Sequence, residues 1–457
     1  VSDPRRVVIE GCAVATVDAL GSEHDRGYIV IEGNRIAAVG PGPVPLIAGA
    51  DRIDAAGCLA TPGLVNCHHH LFQWLTRGRA QDAGLFEWLA ELYPLWALLD
   101  SELVGASARA GLAALALSGC STSVDHHYVF PAAARDALLV EVEVAAAIGL
   151  RLHAGRGSMD LGRSRGGLPP DEITETIDDI LSSTQDVVDR LHDESFDAMV
   201  RIAVAPCSPF SVTSDLMVAS ADMARAENVR LHTHLAETAE EERYCFDRYG
   251  MRPVEYLEDL GWLGDDVWLA HCIHLSGEEI TRFGATQTGV AHCPGSNARL
   301  AAGMAPVLSL LQAGAPVGLG VDGAASNEQG SLRGELRHAL YLARLRDGAH
   351  ALTSRRALEL ATMGGARCLG REDAIGSLEV DKLADIALWR LDDLGHAGIE
   401  DPVAALVLGP TEPVRDLFVD GRRIVAAGEL LTVSVTDAAR DLEKSSRRLL
   451  ERAESKP

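Results

Sequence analysis

Lysine is nearly missing from this 457-residue chain: Lys382, Lys444 and Lys456 are the only ones. No site built from residues before Lys382 can use one. Cations are scarce overall, 41 Lys and Arg against 66 Asp and Glu, and the formal net charge is −25. That balance argues against a nucleic-acid partner, because phosphate contacts need clustered cations. It argues equally against attraction to an anionic membrane. No apolar run approaches the ~20 residues of a membrane helix. The opening stretch "VSDPRRVVIEG" lacks the apolar core of a signal peptide. The nine cysteines include no CxxC pair, which points to buried, reduced thiols in the cytoplasm rather than a disulfide frame. A small-molecule partner remains.

The length suits one large barrel plus a small domain. The two chain ends look alike. "VVIEGCAVATVD" and "GYIVIEGNRIAAVGP" read as short strands, and "VRDLFVDGRRIVAAGEL" repeats the style with Asp420-Gly421 as a hairpin turn. Between them, apolar strands alternate with amphipathic helices, the mark of βα units. Eight strands are expected in "LATPGLVNCH", "STSVDHH", "LRLHAGRG", "MVRIAVAPC", "VRLHTHL", "DVWLAHC", "GVAHCP" and "PVGLGVDG". The expected fold is α/β, a (β/α)8 TIM barrel inserted into a small β-sandwich domain built from both chain ends. The sandwich takes residues 1–60 and 375–435, the barrel 61–374, and a charged helical tail 436–457. Reactive groups in such a barrel stand at the C-terminal ends of the strands. The Gly- and Pro-rich "GSMDLGRSRGGLPPDE" follows the third strand there, as a surface or substrate-facing loop.

Most of these strands end in His, Cys or Asp. In "PGLVNCHHHLFQ", alternation puts His68 and His70 on one face and His69 elsewhere. "RLHTHLAE" repeats the pattern with His232 and His234, and Glu237 follows three residues on. His271 ends "VWLAH", and Asp322 follows the apolar run "VGLGV". Imidazoles and a carboxylate at successive strand ends are a donor set for a borderline divalent cation. Gln73 is a candidate for the edge of a heterocyclic base, or a plain helix-start residue. Arg156 is a candidate donor to a substrate carbonyl, with a salt bridge as the alternative. Asn327 either orients the loop near Asp322 or forms a turn. His292 ends the seventh strand, and His126, His127 and His153 lie near strand ends without an assigned role.

The order His-x-His, His, His, Asp resembles the amidohydrolase superfamily. The resemblance implies His68, His70, His234 and Asp322 as ligands of one divalent metal per chain, zinc before iron. Binuclear members bridge two metals with a lysine carbamate or a carboxylate on the fourth strand. This chain has no lysine there, and "VRIAVAPC" offers no carboxylate, so the mononuclear deaminase branch is implied. Asp322 then ligates and takes a proton from water, Glu237 carries protons to a ring nitrogen and the leaving amine, and His271 polarises the attacked centre. "TPGLVNCHHHLFQ", "LHAGRGSMDLGRSRGGLPPDE", "RLHTHLAET" and "GVDGAASNE" resemble the 8-oxoguanine deaminase group, and more loosely the s-triazine hydrolases. Glu328 stands where relatives often have Asp, and Cys67 where many have Thr or Ser. The implied activity is hydrolysis of 8-oxoguanine to urate and ammonia. The alternatives are a triazine hydrolase such as hydroxyatrazine ethylaminohydrolase, a deaminase of guanine or isoxanthopterin, and, remotely, a non-catalytic metal-binding protein. A cytoplasmic homodimer is implied as well.

Overall fold

The computed structural model describes residues 6–455. The first residues of the expected small domain, 1–5, and the last of the expected tail, 456–457, lie outside the described residues. Eight parallel strands close into a barrel. They are Leu64–Asn66, Cys120–His127, Arg151–Ser158, Val200–Pro206, Arg230–Leu235, Val267–His271, Gly289–His292 and Val317–Leu319. Leu319 pairs with Asn66 to close the ring. The strands are covered on both sides, by barrel interior and by helices, so they read as apolar runs rather than alternating ones.

The chain ends supply one nine-stranded, largely antiparallel sheet from residues 6–62 and 386–430. Ile9, Ile29, Ile31, Ile386 and Phe418 form its own core. Asp420 and Gly421, both at positive φ (51° and 71°), make the expected hairpin turn between Asp416–Val419 and Arg422–Ala426.

The stretch expected as the first barrel strand divides in two. Cys58–Pro62 pairs antiparallel with Ile386–Arg390 in the small sheet, and only Leu64–Asn66 joins the barrel. Gly63 makes the crossing: a Cβ there would lie 2.4 Å from Ser121 Oγ. The helical tail runs Val435–Glu454 and packs on the helix Ser101–Leu117. Leu449 is fully buried, Arg452 pairs with Asp100 at 2.6 Å, and Ser446 Oγ donates to Leu75 O.

Candidate active site

His68 and His70 lie just past the hydrogen-bonded end of the first strand. The backbone stays in register there: Cys67 N–H donates to Leu319 O, and Asp322 N–H donates to His68 O. Alternation therefore persists, and both imidazoles point inward. His68 Nε2 and His70 Nε2 stand 3.4 and 3.3 Å from Asp322 Oδ1, and His70 Nε2 lies 3.1 Å from His234 Nε2. Donors on a tetrahedron with bonds of about 2.0–2.1 Å are ~3.3–3.4 Å apart, and these separations match that spacing.

The outer nitrogens fix the tautomers. His70 Nδ1–H donates to His126 O (2.8 Å), and His234 Nδ1–H donates to Cys207 O (2.6 Å). His232 Nδ1–H donates to Trp268 O, so its Nε2 accepts from His68 Nδ1–H at 2.8 Å. Burial holds His68 and His234 well below the usual imidazole range, and pushes His232 down to about 3. Each inward nitrogen is then a lone pair. Two such lone pairs face each other across 3.1 Å, and His68 Nε2 is buried without a hydrogen-bond partner. Neutral imidazoles held this way by backbone carbonyls are the usual metal-ligand arrangement. The donor set fits a divalent cation.

His69, the middle histidine, is a strut. Its Nδ1–H donates to Asp322 O (2.6 Å), tying the first strand's exit to the eighth's. Asp322 Oδ2 accepts from Ser296 Oγ (2.6 Å). Asp322 and His271 both sit at positive φ, 61° and 71°, which costs a non-glycine residue of order 1–3 kcal/mol and tends to occur at functional sites.

Glu237 follows the fifth strand and precedes the helix Ala239–Tyr249, which Thr238 caps. The Glu241 carboxylate accepts from both Ala236 N–H and Glu237 N–H at 2.8 Å and fixes this corner. His271 donates from Nδ1 to Asn297 Oδ1 (2.9 Å), which leaves Nε2 at 3.7 Å from Glu237 Oε1 and 3.8 Å from Asp322 Oδ2. Burial, then the charge of Asp322, raises the Glu237 carboxyl well above its usual range. A carboxyl kept protonated beside an ionised one is an acid paired with a base.

These groups open on a small, narrow cavity. Trp88, Tyr93, Tyr128 and Phe210 give it flat aromatic walls, and Gln73 lines it. Arg156 is not among its lining residues. The guanidinium is buried, and a buried charge needs a partner, which Glu175 provides at 3.0 Å. Asn327 does not line it either. Its Nδ2 donates to Val321 O and Glu335 Oε1, both at 2.9 Å, which braces the turn behind Asp322. His292 is buried outside the lining, while His127 is bound to Glu141 at 2.8 Å. His126 joins His68, His70 and His234, with ring nitrogens within 4.8 Å of one another. Sequence reasoning missed the aromatic walls. Trp88 and Tyr93 sit on the helix Leu85–Trp96, whose apolar spacing reads as ordinary core.

The profile of the amidohydrolase family matches residues 59–424. Over 417 residues the chain is 46% identical to 8-oxoguanine deaminase of Pseudomonas aeruginosa, covering 91% of this chain and 93% of that protein. It is 36% identical over 446 residues to isoxanthopterin deaminase from an unknown prokaryotic organism, 92% of each chain. It superposes on the crystal structure of atrazine chlorohydrolase from Arthrobacter aurescens, complexed with zinc, with a TM-score of 0.92 at 33% identity. That match covers 96% of this chain and 100% of the other.

Proposed function

Because the chain belongs to the amidohydrolase family, we propose that it deaminates an oxidised purine, turning 8-oxoguanine and water into urate and ammonia. That it is a hydrolytic deaminase follows from the family and its relatives. The observation that carries the choice of base is the 46% identity to an 8-oxoguanine deaminase across nine-tenths of both chains, against 36% for the isoxanthopterin enzyme.

In this reading His68, His70, His234 and Asp322 hold one divalent cation, zinc before iron. When bound, the cation supplies Lewis acidity that brings water's ionisation toward neutral pH. The chain's own groups move the protons. Glu237, protonated at rest, donates to the ring nitrogen beside the amino-bearing carbon, which makes that carbon electrophilic. Asp322 accepts a proton from the attacking water as the C–O bond forms. His271, fixed by Asn297, steadies the charge that develops between the two carboxyls. The proton left on Asp322 then passes through Glu237 to the amine, the C–N bond breaks as the hydroxyl becomes a carbonyl and returns its proton to Glu237, and ammonia leaves. The aromatic walls hold a flat heterocycle, and Gln73 meets its polar edge. On the same reading the chain works as a cytoplasmic homodimer and binds neither nucleic acid nor membrane. The net charge of −25 speaks for the lack of nucleic-acid and membrane partners, and the nine free, buried cysteines for a reducing compartment.

The likeness to atrazine chlorohydrolase favours a second reading, hydrolysis of an s-triazine at the same centre. A release assay separates the two. The holoenzyme is offered 8-oxoguanine, guanine, isoguanine, isoxanthopterin, cytosine, melamine and hydroxyatrazine. Ammonia from 8-oxoguanine with the highest kcat/KM is expected. Ethylamine from hydroxyatrazine with no ammonia from 8-oxoguanine would replace the first reading by the second.

A further inference from the structure

At the opposite end of the barrel, where the third to fifth strands begin, a cleft of ≈ 200 Å³ is lined by His153, His192, Arg201, Asn228, Arg230 and the rim carboxylate Glu194. Arg151 and Arg371 stand behind it and, with Arg201 and Arg230, act electrostatically on His153. Four guanidiniums gathered this way are out of character for a chain of net charge −25.

Their partners are mostly carbonyls. Arg201 donates to Glu194 O and Ser195 O (3.2 Å each), Arg230 to Asp265 O (2.5 Å) and Cys368 O (3.0 Å), and Arg371 to Phe196 O (2.9 Å). Among the described residues only Arg151 of the four has an ion pair, with Asp385 at 3.3 Å and Asp420 at 3.8 Å. The Nε atoms of Arg201, Arg230 and Arg371 are buried without a hydrogen-bond partner, and so is Nε2 of His153, a residue only 3% exposed. Guanidinium N–H groups shut off from water without a direct carboxylate partner are expensive. Burial, then the neighbouring guanidiniums Arg151 and Arg201, pushes Arg371 down to about 9. Asp193 and Glu194 near Arg201, and Asp265, Asp266 and Glu372 near Arg230, offset part of this charge from a distance, but among the described residues none of them forms an ion pair with Arg201, Arg230 or Arg371.

We propose that the cleft formed by His153, Arg201 and Arg230, backed by Arg151 and Arg371, binds a phosphate-class oxyanion at the face of the barrel opposite the catalytic cavity. Forked guanidiniums suit an ion with several oxygens. Arg151 also reaches Asp385 and Asp420 at the small sheet, so an occupant would brace the joint between the barrel and that sheet.

The test is thermal unfolding and calorimetric titration of the metal-loaded full chain with inorganic phosphate, against sodium chloride at matched ionic strength. Ligand binding to the folded state raises the melting temperature with the logarithm of ligand concentration above Kd, while heat of binding saturates. A rise with phosphate and a saturable titration at one site per chain are expected, and Glu237→Gln should keep both. Arg230→Gln and Arg201→Gln should weaken phosphate binding roughly 10-fold or more, each compared with its own phosphate-free sample. An equal rise with chloride, an equal or tighter response to malonate, a response unchanged in both arginine variants, or one lost in Glu237→Gln would overturn the assignment.

Discussion

Glu237→Gln separates proton transfer from every other duty of the site. The amide matches the carboxyl in size, and the corner around it is held from the backbone, by Glu241 accepting from Ala236 and Glu237 N–H. Glu237 belongs to neither group of potential metal ligands around His68 and His234, so metal content should stay near that of the parent. Burial and Asp322 push the Glu237 carboxyl toward its protonated form, and the amide N–H reproduces that donor toward a ring nitrogen. Substrate binding should accordingly change little, with KM within roughly threefold. What the amide cannot do is release its proton and take another. General acid–base catalysis is worth roughly 10²–10⁴-fold, so kcat should fall by that factor, about 2.7–5.4 kcal/mol of barrier. Steady-state ammonia release from 8-oxoguanine, run beside metal analysis of the same sample, measures both quantities. A kcat within tenfold of the parent would refute the proton-carrier role, and so would a lost kcat that merely tracks lost metal.

His68→Ala should lower bound metal and rate together, because it removes an inward lone pair and leaves His232 Nε2 without its donor; metal analysis reads the first and ammonia release the second. Chelator treatment should inactivate the enzyme, with activity returning on addition of Zn²⁺ or Fe²⁺, and chelator-resistant turnover would contradict a metal-dependent site. Gly323→Ala should act on substrate binding. The new Cβ would stand 1.7 Å from Gln73 Oε1, so the amide must swing away, and losing about one hydrogen bond (~0.5–1.5 kcal/mol) should raise KM roughly 2- to 10-fold.

Much of the barrel and its metal-binding end is legible in the sequence because polar groups interrupt apolar runs at fixed places. His68, His70, His234, His271 and Asp322 each stand at or just past the C-terminal end of a strand, where solvent access and the fold's geometry give them a use. Contacts between distant segments are not legible. Arg156 reads as a substrate contact or as half of a salt bridge, and its partner Glu175, on another element, is not named by the sequence. His69 reads as a bystander until its proton is found on the carbonyl of Asp322, 253 residues away. The cavity walls escape for a different reason. An aromatic facing substrate and one facing a core obey the same helical spacing, and Trp88 and Trp96 share one helix while only Trp88 lines the cavity.

The division of the early strand at Gly63 bears on the order of assembly. Cys58–Pro62 has Arg6–Ala15 on one flank, but the partner of its other flank, Ile386–Arg390, lies near the far end of the chain, and Trp389 Nε1–H reaches Thr61 Oγ1 across 328 positions. On the ribosome this segment leaves the exit tunnel with one flank unpaired and waits while the entire barrel is synthesised. Pairing so distant in sequence is slow, and unpaired strand edges invite aggregation in the interval. The histidines six and eight residues beyond Pro62 thus gain their final anchorage among the last events of maturation, and ion loading before that point would meet a ligand set still under construction.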